Sequence, residues 1–178
     1  MRKRFTFIIV IFICFLLCSD IQRLSAQTAT VTIQYSGWTT QCCPSNASNY
    51  QCFDNPGGSG VCGTSATTNI QSFFDPVPGG NIVTNVTVNM YSAGCGGATV
   101  ATSVNAISLP AVTEGSTGCY CDANPWTIYG TTTQTFPCGI SGYNYGANNN
   151  FSIGVSGAAF CVDYMNVIMT YAPASQAV

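Results

Sequence analysis

The chain has 178 residues, of which only 6% are charged, with 4 Lys+Arg, 6 Asp+Glu and no His; an ordinary soluble domain carries about 25% charged residues. All the basic residues, Arg2, Lys3, Arg4 and Arg23, lie near the N-terminus, so residues 27–178 hold no cationic side chain and only Asp54, Asp75, Glu114, Asp122 and Asp163 as acids. Phosphate-backbone binding, lysine Schiff bases, arginine clamps, histidine bases and histidine-ligated metals are thereby excluded for want of the residues.

In chain order, Met1 to Arg4 is a basic n-region, and Phe5 to Cys18 is an apolar run broken only by Thr6. This has the form of a secretory signal peptide, and the run falls short of the roughly 20 apolar residues of a spanning helix. The small residue Ala26 before Gln27 sets the expected cleavage, with Ser19 as the alternative. The expected product, residues 27–178, is one secreted domain with no membrane anchor.

Val31, Ile33 and Tyr35 alternate with Thr32 and Gln34, which predicts a strand with one wet face. From Gly37 to Gly80 the pattern changes: Cys42, Cys43, Cys52 and Cys62 stand among prolines and glycines with little alternation, which predicts a disulfide-stapled excursion across one end of the fold. Strands are predicted again around Val86, Val88 and Met90, from Val100 to Leu109, from Trp126 to Phe136, and around Phe151, Ile153 and Val155. Val162 to Tyr171 is apolar on both parities, as a central strand would be. The fold class expected is therefore all-β, a disulfide-stabilised β-sandwich of jelly-roll type.

Nine cysteines follow the signal segment: Cys42, Cys43, Cys52, Cys62, Cys95, Cys119, Cys121, Cys138 and Cys161. Behind an export signal this density reads as a disulfide frame. One cysteine is left over. It either packs as a buried thiol, for which Cys161 in its apolar run is suited, or bridges two chains into a homo-oligomer. Asn46, Asn85 and Asn150 begin Asn-X-Ser/Thr sequons, and Asn85 falls on the polar parity of its strand.

Three kinds of site are chemically available. Trp38, Tyr120, Trp126, Tyr129, Tyr143 and Tyr145 stand in or beside Gly-, Asn- and Thr-rich segments, a residue set suited to stacking on sugar rings while amides take the hydroxyls. Asp54, Asp122 and Asp163 are hard oxygen donors for calcium, without the D-x-D-x-D-G loop; the expectation is no cofactor and no metal. Glu114 paired with Asp122 or Asp163 would satisfy a glycosidase's need for two carboxyl groups. Thr28, Thr30 and Thr32 alternate as one strand of an ice-binding face would, but no regular array follows them.

Tyr145 to Val155, then Cys161-Val-Asp-Tyr-Met-Asn-Val-Ile-Met-Thr-Tyr171, resembles the closing strands of galactose-binding-like jelly-roll modules. Many carbohydrate-binding modules belong to that superfamily. The resemblance implies a fold class and transfers no ligand residue. The function expected is a secreted structural, adhesive or glycan-binding protein of the cell surface or matrix, partnered by glycans or matrix proteins and without catalysis. The alternative is a small carboxylate-dependent glycoside hydrolase.

Overall fold

The computed structural model describes residues 26–35, 51–53, 67–94, 96–115, 127–158 and 160–174. Among the described residues ten strands are formed: β1 (Gln27–Gln34), β2 (Gln51–Phe53), β3 (Thr68–Phe74), β4 (Asn81–Gly94), β5 (Thr99–Val104), β6 (Ile107–Ser108), β7 (Val112–Thr113), β8 (Thr127–Thr135), β9 (Asn148–Ser156) and β10 (Phe160–Pro173). They build two antiparallel sheets. Sheet I runs β1-β10-β4-β8, with β2 on β10 beyond the end of β1; sheet II runs β3-β9-β5-β6, with β7 also on β5. The last strand lies between the first and fourth, and the ninth between the third and fifth, which is the winding of a jelly roll.

Period-2 burial explains the pairing of the sheets. Val86, Val88 and Met90 of β4, Met165, Val167 and Met169 of β10, and Phe151, Ile153 and Val155 of β9 all point inward and are buried. Each such side chain contributes about 1.5–3 kcal/mol relative to exposure. β10 has neighbours on both sides, as its two apolar parities predict. Cys161 sits opposite Cys52 in the β10–β2 register, and the two form a disulfide across 109 residues of sequence. Cys161 is therefore not the free thiol that its apolar run suggests: the register brings Cys52 to it. Cys138 is disulfide-bonded as well.

Two expectations are corrected. Val100 to Leu109 is not one strand, because Asn105 and Ala106 adopt φ of 47° and 67° and turn β5 back as β6; positive φ at both positions is the geometry of a tight hairpin. The stretch from 37 to 80 contains two strands, β2 and β3. β3 escapes a hydrophobic-pattern reading because Ile70 and Phe74 point to solvent while the half-buried inward positions are Asn69 and Gln71. The resemblance read on the last third concerns only β9 and β10, which lie in different sheets; the sandwich is built along the whole described chain.

Candidate functional site

The outer face of sheet II is fixed by its register. Thr68 stands beside Gly154 and Ala101; Ile70 beside Ser152, Ser103 and Ser108; Ser72 beside Asn150; and Phe74 beside Asn148. Small side chains in the middle strands and longer ones at the edge leave a shallow trough. Thr68, Ile70, Ala101, Ser103, Ser152 and Gly154 are among the residues lining a depression of about 350 Å³. A second depression, of about 440 Å³, continues over Ile70, Ser103, Asn105, Ala106, Asn150 and Ser152. Both volumes fall in the range of small-molecule sites, about 300–1,000 Å³. From Thr68 to Phe74 the face extends roughly 20 Å at about 3.3 Å per residue.

The chemistry of the trough is hydroxyl, amide and hydrocarbon, with no ionisable group among its lining residues. Ser103 and Ser152 share a hydrogen bond between their hydroxyls, and Ser72 Oγ donates to Asn150 Oδ1 at 2.8 Å. Ile70 is 70% exposed and Phe74 64% exposed. Four residues apart on one strand, they present two apolar surfaces along the same edge of the trough.

A buried polar network holds the far end of this face. Asn149 Oδ1 accepts from Asn105 Nδ2 at 2.6 Å and from the Asn144 N–H at 2.8 Å, and its Nδ2 donates to the carbonyls of Asn144 and Ala147. Asn105 Nδ2 also reaches the Gly142 carbonyl, while its Oδ1 accepts from the Asn150 N–H. Asp75 takes donors from the Val77 N–H, the Tyr143 hydroxyl and the Gly146 N–H. These bonds join the loop before β9 to the β3–β4 connection and to the β5–β6 turn. Satisfied buried networks of this kind hold one geometry.

On the outer face of sheet I, the β10–β4 pairing steps from Val162–Ser92 to Tyr164–Tyr91, so Asp163 is an extra, bulged residue. Gln34 Nε2 donates to Asp163 Oδ1 at 2.6 Å. Burial pushes the Asp163 carboxyl above its ordinary value, and the Gln34 bond draws it partly back. Beside it, the Tyr91 and Tyr164 rings stack with centroids 5.1 Å apart.

The residues singled out in the sequence are scattered. Trp38, Tyr120 and Trp126 lie outside the described residues, as do Asp54, Asp122, Asn46 and the cysteines at 42, 43, 62, 95, 119 and 121. Tyr129 falls on β8, opposite Met90 in register. Tyr143 is 7% exposed, its hydroxyl donating to Asp75 at 2.8 Å and lying 3.1 Å from Met169 Sδ. Burial and the bond to Asp75 raise its hydroxyl above the ordinary tyrosine value. It is a core residue and offers no open ring face. Tyr145, 41% exposed, accepts the Val83 N–H at 2.9 Å and packs on Tyr143.

Glu114 is 2% exposed, with Oε1 accepting the Gly96 N–H at 3.0 Å and Oε2 buried without a hydrogen-bond partner. Burial raises its carboxyl above the ordinary value, and the Gly96 bond lowers it partly. Glu114 is thus enclosed, whereas Asp163 is on the outer side of sheet I. Among the described residues no three His, Cys, Asp or Glu side chains gather as a metal-binding group. Ile70, Ser103 and Asn105, which line the trough, and Phe74, exposed farther along the same strand as Ile70, were not legible as site residues: an apolar side chain facing solvent looks in sequence like one facing the core.

No protein-family profile matches the sequence, and no curated protein matches it significantly. Among solved structures the chain is similar to dimeric latent PorU from Porphyromonas gingivalis, at 12% identity and TM-score 0.46, covering 83% of this chain but only 13% of that one. It is also similar to the carbohydrate-binding module CBM6cm-2 of Cellvibrio mixtus lichenase 5A, solved with cellotriose, at 13% identity and TM-score 0.40, covering 77% of this chain and 95% of that one.

Proposed function

We propose that this is a secreted, non-catalytic binding protein that holds a neutral, linear glycan chain along the outer face of sheet II. The observation that carries the reading is the trough itself: a floor of Gly154, Ala101, Ser152 and Ser103, amides from Asn105 and Asn150, and exposed Ile70 and Phe74 at its edge. Sugar hydroxyls pair with uncharged hydroxyl and amide groups, and the C–H faces of pyranose rings pack on apolar side chains. Residues 27–178 hold no cationic side chain to favour phosphate or sulfate groups, and the trough's lining holds no ionisable group, so the ligand class that fits it is neutral. The Cys52–Cys161 disulfide agrees with an oxidising, extracellular setting. Retention at the cell surface or in matrix follows from glycan binding.

An array of neutral linear oligosaccharides tests the reading. Binding is expected to survive a tenfold change in ionic strength, because no charge pair contributes to it. Phe74→Ala is expected to weaken it about two- to tenfold, from the ~0.5–1.5 kcal/mol of a ring contact. Binding confined to anionic glycans, or binding unaffected by Phe74→Ala, would contradict the assignment.

A further inference from the structure

The trough contains one of the chain's own modification sequons. Asn150, Phe151 and Ser152 form an Asn-X-Ser sequon, and both Asn150 and Ser152 line the depression of about 440 Å³. The structure separates this sequon from that at Asn85. Asn85 lies on β4, flanked by Thr170 of β10 and Thr135 of β8, and its Oδ1 is buried with no hydrogen-bond partner. Asn150 is exposed. Its Oδ1 accepts from Ser72 Oγ and its backbone N–H donates to Asn105 Oδ1, each at 2.8 Å. Those bonds use the oxygen and the main chain and leave Nδ2, the atom that N-glycosylation modifies, outside both of them.

We propose that Asn150 is N-glycosylated and that its glycan lies over the trough, so that modification controls access of the external ligand; this rests on the reading of the trough as the ligand site. In the transfer, Nδ2 forms a bond to the anomeric carbon of a lipid-linked oligosaccharide pyrophosphate. The bond from that carbon to the pyrophosphate oxygen breaks, the lipid pyrophosphate departs, and the amide loses one proton. The secondary amide that results keeps Oδ1 for Ser72. The first sugar is covalently held within the lining and faces the Ser103 and Ser152 hydroxyls and the exposed Ile70. A tether this short sets an effective concentration in the mM range, so a free glycan of weaker affinity does not displace it.

The test compares the full chain secreted from eukaryotic cells with the same chain exported to a bacterial periplasm, which lacks the transfer machinery. Both are made with Asn46→Gln and Asn85→Gln, so that Asn150 is the remaining sequon, and the wild-type chain is run in parallel with site-resolved mass spectrometry of chymotryptic peptides. Asn150 is expected to be occupied in the eukaryotic product. Enzymatic release of that glycan is expected to be about tenfold slower from the folded protein than after reduction and unfolding, and the unmodified product to bind the neutral oligosaccharide array about tenfold more tightly. An unoccupied Asn150, equal release rates, or measurable array binding of equal affinity by the two products overturns the inference. Should neither product bind any oligosaccharide, the assignment of the trough as a ligand site is overturned, while occupancy and protection still decide whether the glycan lies over this face.

Discussion

Replacing Gly94 by alanine perturbs the most confined of the described glycines. A Cβ built there would lie 2.5 Å from Glu114 Oε2 and 2.6 Å from Glu114 Cδ. The end of a long side chain ordinarily moves aside at little cost. This one is held, because Glu114 is 2% exposed and its Oε1 accepts the Gly96 N–H at 3.0 Å. Making room breaks a hydrogen bond to a carboxyl group, at about 1.5–3 kcal/mol, or overpacks the site, at about 1–3 kcal/mol. Gly94→Ala should therefore lower Tm by roughly 2–12 °C, at about 2–4 °C per kcal/mol for a domain of this size, read by calorimetry with disulfides intact. Glu114→Ala removes the colliding atoms, so the two substitutions together should show a coupling of about 0.5–3 kcal/mol. A Gly94→Ala protein within about 0.5 kcal/mol of wild type, or strictly additive effects, would refute the packing argument.

Glu114 also predicts a pH dependence. A carboxyl whose folded value is raised binds its proton more tightly in the native state than in the unfolded chain, so its contribution to stability is complete below the ordinary value of 4.5 and is lost as pH rises through the raised folded value. Glu114→Gln should flatten the fall of Tm above that pH, and an unchanged profile would show that the group titrates normally. Tyr143→Phe removes the 2.8 Å bond to Asp75 and should cost about 1–3 kcal/mol, read by denaturant titration; a loss below about 0.5 kcal/mol would show that the hydroxyl does not anchor the ring in the core. Reduced and unfolded protein should yield no tryptic fragment from within residues 27–178, which hold no Lys or Arg; any such fragment, seen by mass spectrometry, would contradict the sequence-level account.

The fold was legible where one parity of a strand is apolar and inward. Val86, Val88 and Met90, and again Phe151, Ile153 and Val155, alternate without interruption, and both sets are in the core. β3 was not legible, since Ile70 and Phe74 face solvent and Phe73 is its one buried apolar side chain. The β5–β6 turn was hidden because Ala106 takes a positive φ that its residue type does not announce. Tyr143 looked like a surface aromatic between Gly142 and Asn144, yet its position is decided by Asp75, 68 residues away. The bulge at Asp163 and the trough arise from register between strands distant in sequence, and no local pattern encodes them.

The central claim, that the outer face of sheet II holds the ligand, is tested most directly at Gly154. A Cβ there would meet Thr68 Cγ2 at 3.9 Å and the Thr67 carbonyl at 4.0 Å, ordinary contacts, so the backbone accepts a side chain at this position and Gly154→Leu extends it over the floor of the trough. Glycine within a strand also costs conformational entropy, and the variant should be at least as stable as wild type. Oligosaccharide titration of wild-type and Gly154→Leu protein, both made without N-glycans, should give binding by the first and none by the second; equal affinities would place the ligand elsewhere.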